Sequence, residues 1–247
     1  MKLLPLSAAL LLAPGCLFGQ SAQQQLLISQ EISASTPPAY VQGSAGVIFL
    51  PASTTVASSA TATTTGNLLV VAIRWGNVNC AGETSTALMD TAGDTFTIVG
   101  SCAQPPDGVA EFMFVAKNIT GNAANVVIAT GALSSFNTIN VMEFSGLNHS
   151  TPLDQSAQGA VNFTTVTSGS FTTTSANEVL AACAEFDTTG NTFAPQSGYT
   201  LSSGSKDSQG VSQCQYQIVS AIQTGVTSSM TVGASNPAAI VVGTFKQ

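Results

Sequence analysis

The chain has 247 residues, of which 5 are Lys or Arg and 12 are Asp or Glu, so it carries a formal charge of -7 with 7% charged and 44% hydrophobic residues. Charged residues make up about a quarter of an average protein, so solubility here falls to Ser, Thr, Asn, Gln and Gly. The scarcity of basic residues argues against a nucleic-acid partner, and the hydrophobic content argues against a disordered chain.

The first element is an export signal. Lys2 supplies a short positive region and Leu3 to Ala13 an apolar run too short to cross a bilayer, which assigns residues 1–19 to a secretory signal peptide. A competing route reads Ala13-Pro14-Gly15-Cys16 as a lipobox, with Cys16 lipidated. Both routes place the mature chain outside the cell or on its surface, and no later segment reads as a transmembrane span. Residues 20–42 form a Gln-, Ser- and Pro-rich leader or N-terminal arm with one strand-like stretch, Leu26-Leu27-Ile28. Pro37 and Pro38 keep the chain extended beyond it. Such an arm can lie along its own sheet or enter a neighbour's, which makes self-association one partner reading.

Residues 43–247 carry recurrent β-branched or apolar runs between Gly, Asn, Asp and Ser. Strands are predicted at residues 46–50, 67–75, 95–99, 111–117, 125–130 and 138–144. In the fourth run Phe112, Phe114 and Ala116 share one face, opposite Glu111 and Lys117, the alternation of an antiparallel sheet. Asp90 to Asp94 reads as a hairpin connection with Gly93 at positive φ. No helical apolar stripe is sustained after the signal.

The sequence also repeats. TTTGNLLVVA at Thr63 to Ala72 matches TTTSANEVLAA at Thr172 to Ala182, with one insertion. Downstream, Phe112 to Val115 aligns with Tyr216 to Val219, and Val141 to Phe144 with Val242 to Phe245. The expected fold is therefore all-β: one antiparallel, jelly-roll-like β-sandwich built from two pseudo-repeated halves at about residues 46–147 and 160–247. Cys80, Cys102, Cys183 and Cys214 give an even count in an exported chain, which predicts disulfides. Pairing within each half, Cys80 with Cys102 and Cys183 with Cys214, is the choice among three connectivities. Zinc is disfavoured, because the cysteine spacing is wrong and His149 is the one histidine.

Asn67 to Val71, Phe114 to Ile119 and Glu143-Phe144-Ser145-Gly146-Leu147, followed by Pro152-Leu153-Asp154, resemble an uncharacterised bacterial family of secreted or cell-surface β-sandwich domains. The resemblance extends over about residues 43–247 and marks a fold, not a chemistry. It implies a surface or matrix module and supplies no catalytic residues.

The residues themselves offer few sites. Glu185 and Asp187 share a strand face, as in the Glu-x-Asp-x-x-Glu motif of laminarinase-like glycosidases, but Gly190 stands where the third acid belongs. A serine-hydrolase triad would need His149, which sits in a polar turn, and no Gly-x-Ser-x-Gly elbow occurs. Arg74 and Glu143 both interrupt apolar runs and are expected to form a structural ion pair across strands. Asp90 and Asp94, flanking Gly93, are the candidate calcium ligands, calcium being the one cofactor the sequence suggests. Trp75, Tyr40 and Tyr199 are the candidate glycan contacts, although Trp75 shares a face with Leu69, Val71 and Ile73 and so also reads as core. Asn118, Asn148 and Asn162 begin glycosylation-type triplets that a Ser/Thr-rich chain produces by chance.

The expected function is a non-catalytic extracellular module with a structural or adhesive role, its partner an extracellular glycan or surface protein. A carbohydrate-binding module is the alternative, and a cryptic polysaccharide-acting enzyme the third reading.

Overall fold

A computed structural model of the protein describes residues 36–48, 51–76, 80, 87–105 and 109–247. The expectations for the signal segment, for Cys16 and for most of the N-terminal arm lie outside the described residues. The described chain is all-β, and every strand pairing in it is antiparallel.

Among the described residues sixteen strands follow one another: β1 Ala39–Ile48, β2 Ser53–Ala57, β3 Thr61–Thr63, β4 Leu68–Trp75, β5 Ala87–Asp90, β6 Phe96–Ile98, β7 Ala110–Ala116 and β8 Asn122–Asn125 in the first stretch. The remainder are β9 Val127–Ser134, β10 Asn137–Ser145, β11 Leu153–Thr167, β12 Glu178–Phe186, β13 Ala194–Pro195, β14 Thr200–Leu201, β15 Ser212–Val219 and β16 Ser229–Lys246. Strand β1 begins before the expected run at residues 46–50 and takes in Ala39 to Gln42, which the sequence pattern assigns to the leader. Its backbone pairs with β10 from Ala39 opposite Ser145 onward, so the ladder recruits polar residues that local propensity leaves as linker.

One large sheet has the order β1-β10-β4-β7-β6 and the other β11-β16-β12-β15-β14. The two paths correspond strand for strand, with β4 and β12 central, β10 and β16 on one side, and β7 and β15 on the other. Strands β4, β7, β10 and β12 are buried over nearly their whole length, and apolar residues fill both faces of β4, β7 and β12, while β10 also buries Asn137, Thr138 and Asn140.

Three apolar layers result. Between the large sheets, Leu68, Val70, Met113, Val115, Met142 and Phe144 face Val179, Ala181, Val241 and Phe245, with Cys183 and Cys214 among them. The far face of the first sheet packs Leu69, Ile73, Trp75, Phe112 and Phe114 against Val56, Val127 and Ala129 of the small sheet β2-β9-β5. On the second sheet, Leu180, Ala182, Phe186 and Ile240 pack against Phe171, Phe193, Met230 and Val232. The distal part of β11 provides Val166 for that third layer, beyond a register shift at Phe163. Here the strand turns back so closely that a Cβ on Gly159 would sit 2.0 Å from the Thr167 carbonyl oxygen.

Both expected disulfides are present, Cys80–Cys102 and Cys183–Cys214. The second joins directly opposed residues of β12 and β15 inside the central layer. Disulfides of this kind suit an oxidising environment such as that outside the cell, and no described helix is long and apolar enough to cross a membrane.

Candidate functional site

The seam between the large sheets is apolar along most of its length and polar at one end. The alternation that sends Leu68, Val70 and Ala72 into the seam sends Arg74 there too, and on β12 it sends Glu185 in after Val179, Ala181 and Cys183. Arg74 Nε donates to Glu185 Oε2 at 2.9 Å, and Nη2 to Asp187 Oδ1 at 2.8 Å. Its Nη1 bonds the carbonyl oxygen of Phe136. Phe136 has φ +64°, a conformation strained for a residue bearing a Cβ. Arg74 and Glu185 are essentially inaccessible, while the Asp187 side chain is 41% exposed and opens the cluster to solvent.

Glu111 completes the charged end. It lies opposite Arg74 in the β4–β7 ladder and is fully buried, with neither carboxyl oxygen hydrogen-bonded among the described residues. Burial, then the negative charge of Glu185, pushes its carboxyl well above the usual range, against the opposing pull of Arg74. Next to this group Ser212 Oγ of β15 lies 2.7 Å from Asn140 Oδ1 and 2.9 Å from Thr138 Oγ1, both on β10. Asp207 accepts the N–H groups of Gln209, Val211 and Ser212, which ties the loop before β15.

The expected pair of Arg74 with Glu143 is corrected by these partners. Glu143 stands opposite Leu69 in the ladder, whereas Arg74 stands opposite Thr138, at the other end of β10. Odd and even positions of one strand point to opposite faces, so Glu143 looks away from the seam that holds Arg74. Its buried carboxylate is held by neutral donors: Gln42 Nε2 at 2.6 Å, Asn67 Nδ2 at 2.6 Å and the Thr64 N–H at 2.9 Å. Sequence reasoning found both ionic residues and the Glu185–Asp187 motif but did not join Arg74 to that motif. The repeat sets Arg74 against Ala184, next to Glu185, so it marks the end of β12 where the partner lies but not its face.

The glycan-contact residues do not converge. Trp75 is wholly buried beside the small sheet, with Nε1 donating to the Ala132 carbonyl, and Tyr199 is buried in the third layer. Tyr40 is half-exposed and stacks on Tyr216 with ring centroids 4.5 Å apart, closing the seam at the β1 edge. Burial overturns Trp75 and Tyr199 as an exposed sugar platform. The calcium candidates serve their own turn: Asp90 Oδ1 accepts the Asp94 N–H at 2.8 Å, and Asp90 Oδ2 the Asn125 amide at 2.9 Å. Asp94 Oδ1 accepts the Thr120 N–H at 2.8 Å. Among the described residues no group of three or more His, Cys, Asp or Glu side chains is placed to hold a metal ion. His149 is exposed beside Gly66 and lines an open groove of ≈ 510 Å³ with Asn67, Asn148 and Gln247.

The chain matches no family model, no curated protein and no solved structure.

Proposed function

We propose that the protein is a non-catalytic extracellular module with a structural or adhesive role at the cell surface or in the matrix. The observation that carries this reading is the use made of the acidic side chains. Glu111, Glu143, Glu178 and Glu185 are all buried to 1% exposure or less, and Glu143 and Glu185 are held by side chains of other segments. The matching strand orders of the two large sheets support reading the domain as a doubled, jelly-roll-like unit of the bacterial surface family its motifs resemble. Two disulfides and three apolar layers suit a module exposed to mechanical and chemical stress outside the cell.

Carbohydrate binding is the second reading. It is favoured by the groove beside His149, whose Thr, Asn, Ser and Gln lining offers hydroxyl and amide partners for a sugar. One experiment separates the readings: glycan-array binding of the secreted protein, with and without calcium, alongside reducing-end release from a panel of soluble polysaccharides. Attachment to cells or matrix without glycan binding or release supports the structural role. Saturable glycan binding lost on Asn148→Ala supports the second reading. Release of reducing ends that is lost on Asp187→Asn would overturn both.

A further inference from the structure

The polar end of the seam holds a second group of contacts beside the ionic one. On β10 the alternation that sends Met142 and Phe144 into the seam sends Thr138 and Asn140 there as well, and on β15 it sends Ser212 in with Cys214. Thr138 and Asn140 have no solvent exposure, Ser212 has 1% and Asp207 2%. Around the Ser212 hydroxyl stand Asn140 Oδ1 at 2.7 Å, Thr138 Oγ1 at 2.9 Å and Asp207 Oδ2 at 3.2 Å. The N–H groups of Gln209, Val211 and Ser212 fix the Asp207 carboxylate in place. On its other side the Asn140 amide donates from Nδ2 to the Ser205 carbonyl. Ser205 belongs to a loop whose Gly204, Lys206 and Ser208 line an open groove of ≈ 590 Å³. The ladder neighbours of Asn140 are Ala45 and Ala72, which leave its amide uncrowded.

We propose that Ser212 and Asn140 condense to an ester that joins the two large sheets covalently, with Asp207 as the base. A hydroxyl held between a carboxylate and an amide carbonyl is a nucleophile, base and electrophile in mutual contact. A hydrogen bond of 2.7 Å to a carbonyl of ordinary length sets Oγ about 3.5 Å from the amide carbon, at the outer edge of the range from which attack begins. Such a bond lies near the amide plane. A turn about the soft Cβ–Cγ torsion of Asn140 presents the face of the carbon instead.

The step balances without an added reagent. As the bond from Ser212 Oγ to Asn140 Cγ forms, the hydroxyl proton passes to Asp207 Oδ2. Asp207 returns it to Nδ2 as the Cγ–Nδ2 bond breaks, so one ammonia leaves and the carboxylate is restored. The departing nitrogen is on the Ser205 side, toward the groove, and in solution it is taken up as ammonium. Burial of all four side chains keeps out the water that would hydrolyse the product. Neither disulfide crosses the seam: Cys183–Cys214 joins β12 to β15, and Cys80–Cys102 lies at the margin of the second layer. The ester ties β10 to β15 and so locks the first large sheet to the second.

The test is the mass of the full secreted chain, measured denatured after reduction and alkylation of its cysteines, together with a peptide map. No ligand enters it, so its result is separate from that of the attachment and glycan-binding assays. The expected results are the loss of one ammonia and a branched peptide joining the segment of Asn140 to that of Ser212. Hydroxylamine, which cleaves esters and spares amides, should split the branched peptide. Ser212→Ala and Asn140→Ala should each show the full mass of their sequences and linear peptides alone. A chain of full mass with unlinked Asn140 and Ser212 peptides overturns the cross-link, as does an ammonia loss that persists in Ser212→Ala. Should either variant fail to fold, the peptide map of the unaltered chain decides.

Discussion

Arg74 and Glu185 meet across the seam between the two large sheets, Nε to Oε2 at 2.9 Å, with side-chain exposures of 2% and 0%. An ion pair so placed fixes which residue of β4 lies over which residue of β12. Removing Glu185 leaves the buried Arg74 with the Phe136 carbonyl and the 41% exposed Asp187, and so with its counter-charge largely in solvent. Glu185→Ala should therefore destabilise the protein by about 3–5 kcal/mol, whereas Arg74→Met with Glu185→Leu should recover most of that loss. Urea unfolding of the two variants checks this, and a double variant as unstable as the single one would refute it. Asp187→Asn should cost less, since that carboxylate is 41% exposed and screened by water.

A double-mutant cycle distinguishes this pair from the one that sequence pattern suggests. Glu143 is bonded to Gln42, Asn67 and the Thr64 N–H, and it faces away from Arg74. Arg74→Met and Glu143→Gln should add to within about 0.5 kcal/mol, while Arg74→Met and Glu185→Leu should be strongly non-additive. Glu143→Gln alone should cost about 1–3 kcal/mol, because the new amide must turn a donor toward groups that are themselves donors.

The route from sequence to structure was open where period and burial coincide. The alternation at Phe112 and Phe114 places both on the small-sheet side, and the apolar run ending at Trp75 marks a strand covered on both faces. The repeat aligned β4 with β12 and β7 with β15, and each cysteine pair falls within one half. Long-range ionic pairing was not legible, because a strand pattern gives the face of Arg74 but not the sheet stacked on that face. Tyr199 was misplaced for a related reason: its neighbours Gly198 and Thr200 signal an exposed turn, yet the third layer covers its ring. The start of β1 was hidden because Ala39 to Gln42 gain strand structure from their partners on β10, not from their own propensity.

Gly46 is a position where added volume has nowhere to go. A Cβ there would lie 1.7 Å from the Ala57 carbonyl oxygen, a backbone atom, as the chain passes over β1. Gly46→Ala should destabilise by about 1–3 kcal/mol or more, and calorimetry should show it. Gly93→Ala has open space around its Cβ, and its strain comes from φ +80° alone, so its loss should be about 1–2 kcal/mol.

The two disulfides should differ in accessibility. Cys183–Cys214 is buried in the central layer, whereas Cys80 and Cys102 are only partly buried at the margin of the second. Stepwise reduction of the native protein, with alkylation and peptide mapping, should label Cys80 and Cys102 first. Replacing Cys183 and Cys214 together by Ala should then cost about 3–4 kcal/mol in the chain-entropy account, the bridge spanning a sequence separation of 31. Labelling of Cys183 before Cys102 would contradict the order of burial.

Glu111 sets the alkaline limit of the seam. Its carboxyl is wholly buried with no hydrogen-bond partner for either oxygen among the described residues, and burial followed by the charge of Glu185 pushes it well above the ordinary range. A raised folded-state value means that its contribution to stability is complete below the ordinary carboxylate range and is lost as pH rises toward the folded-state value. Ionisation would set a second negative charge beside Glu185, with Arg74 already committed to Glu185 and Asp187. Glu111→Gln has nearly the same shape and cannot ionise. It should match the parent protein below about pH 4, and exceed it in stability progressively as pH rises above the ordinary carboxylate value of 4.5. Urea midpoints at about pH 4, 7 and 9 check the trend. Glu111→Gln should flatten a slope that begins at the ordinary carboxylate value of 4.5 and continues into the alkaline range. Parallel pH profiles for Glu111→Gln and the parent would mean that Glu111 is ionised throughout and finds a partner inside the seam.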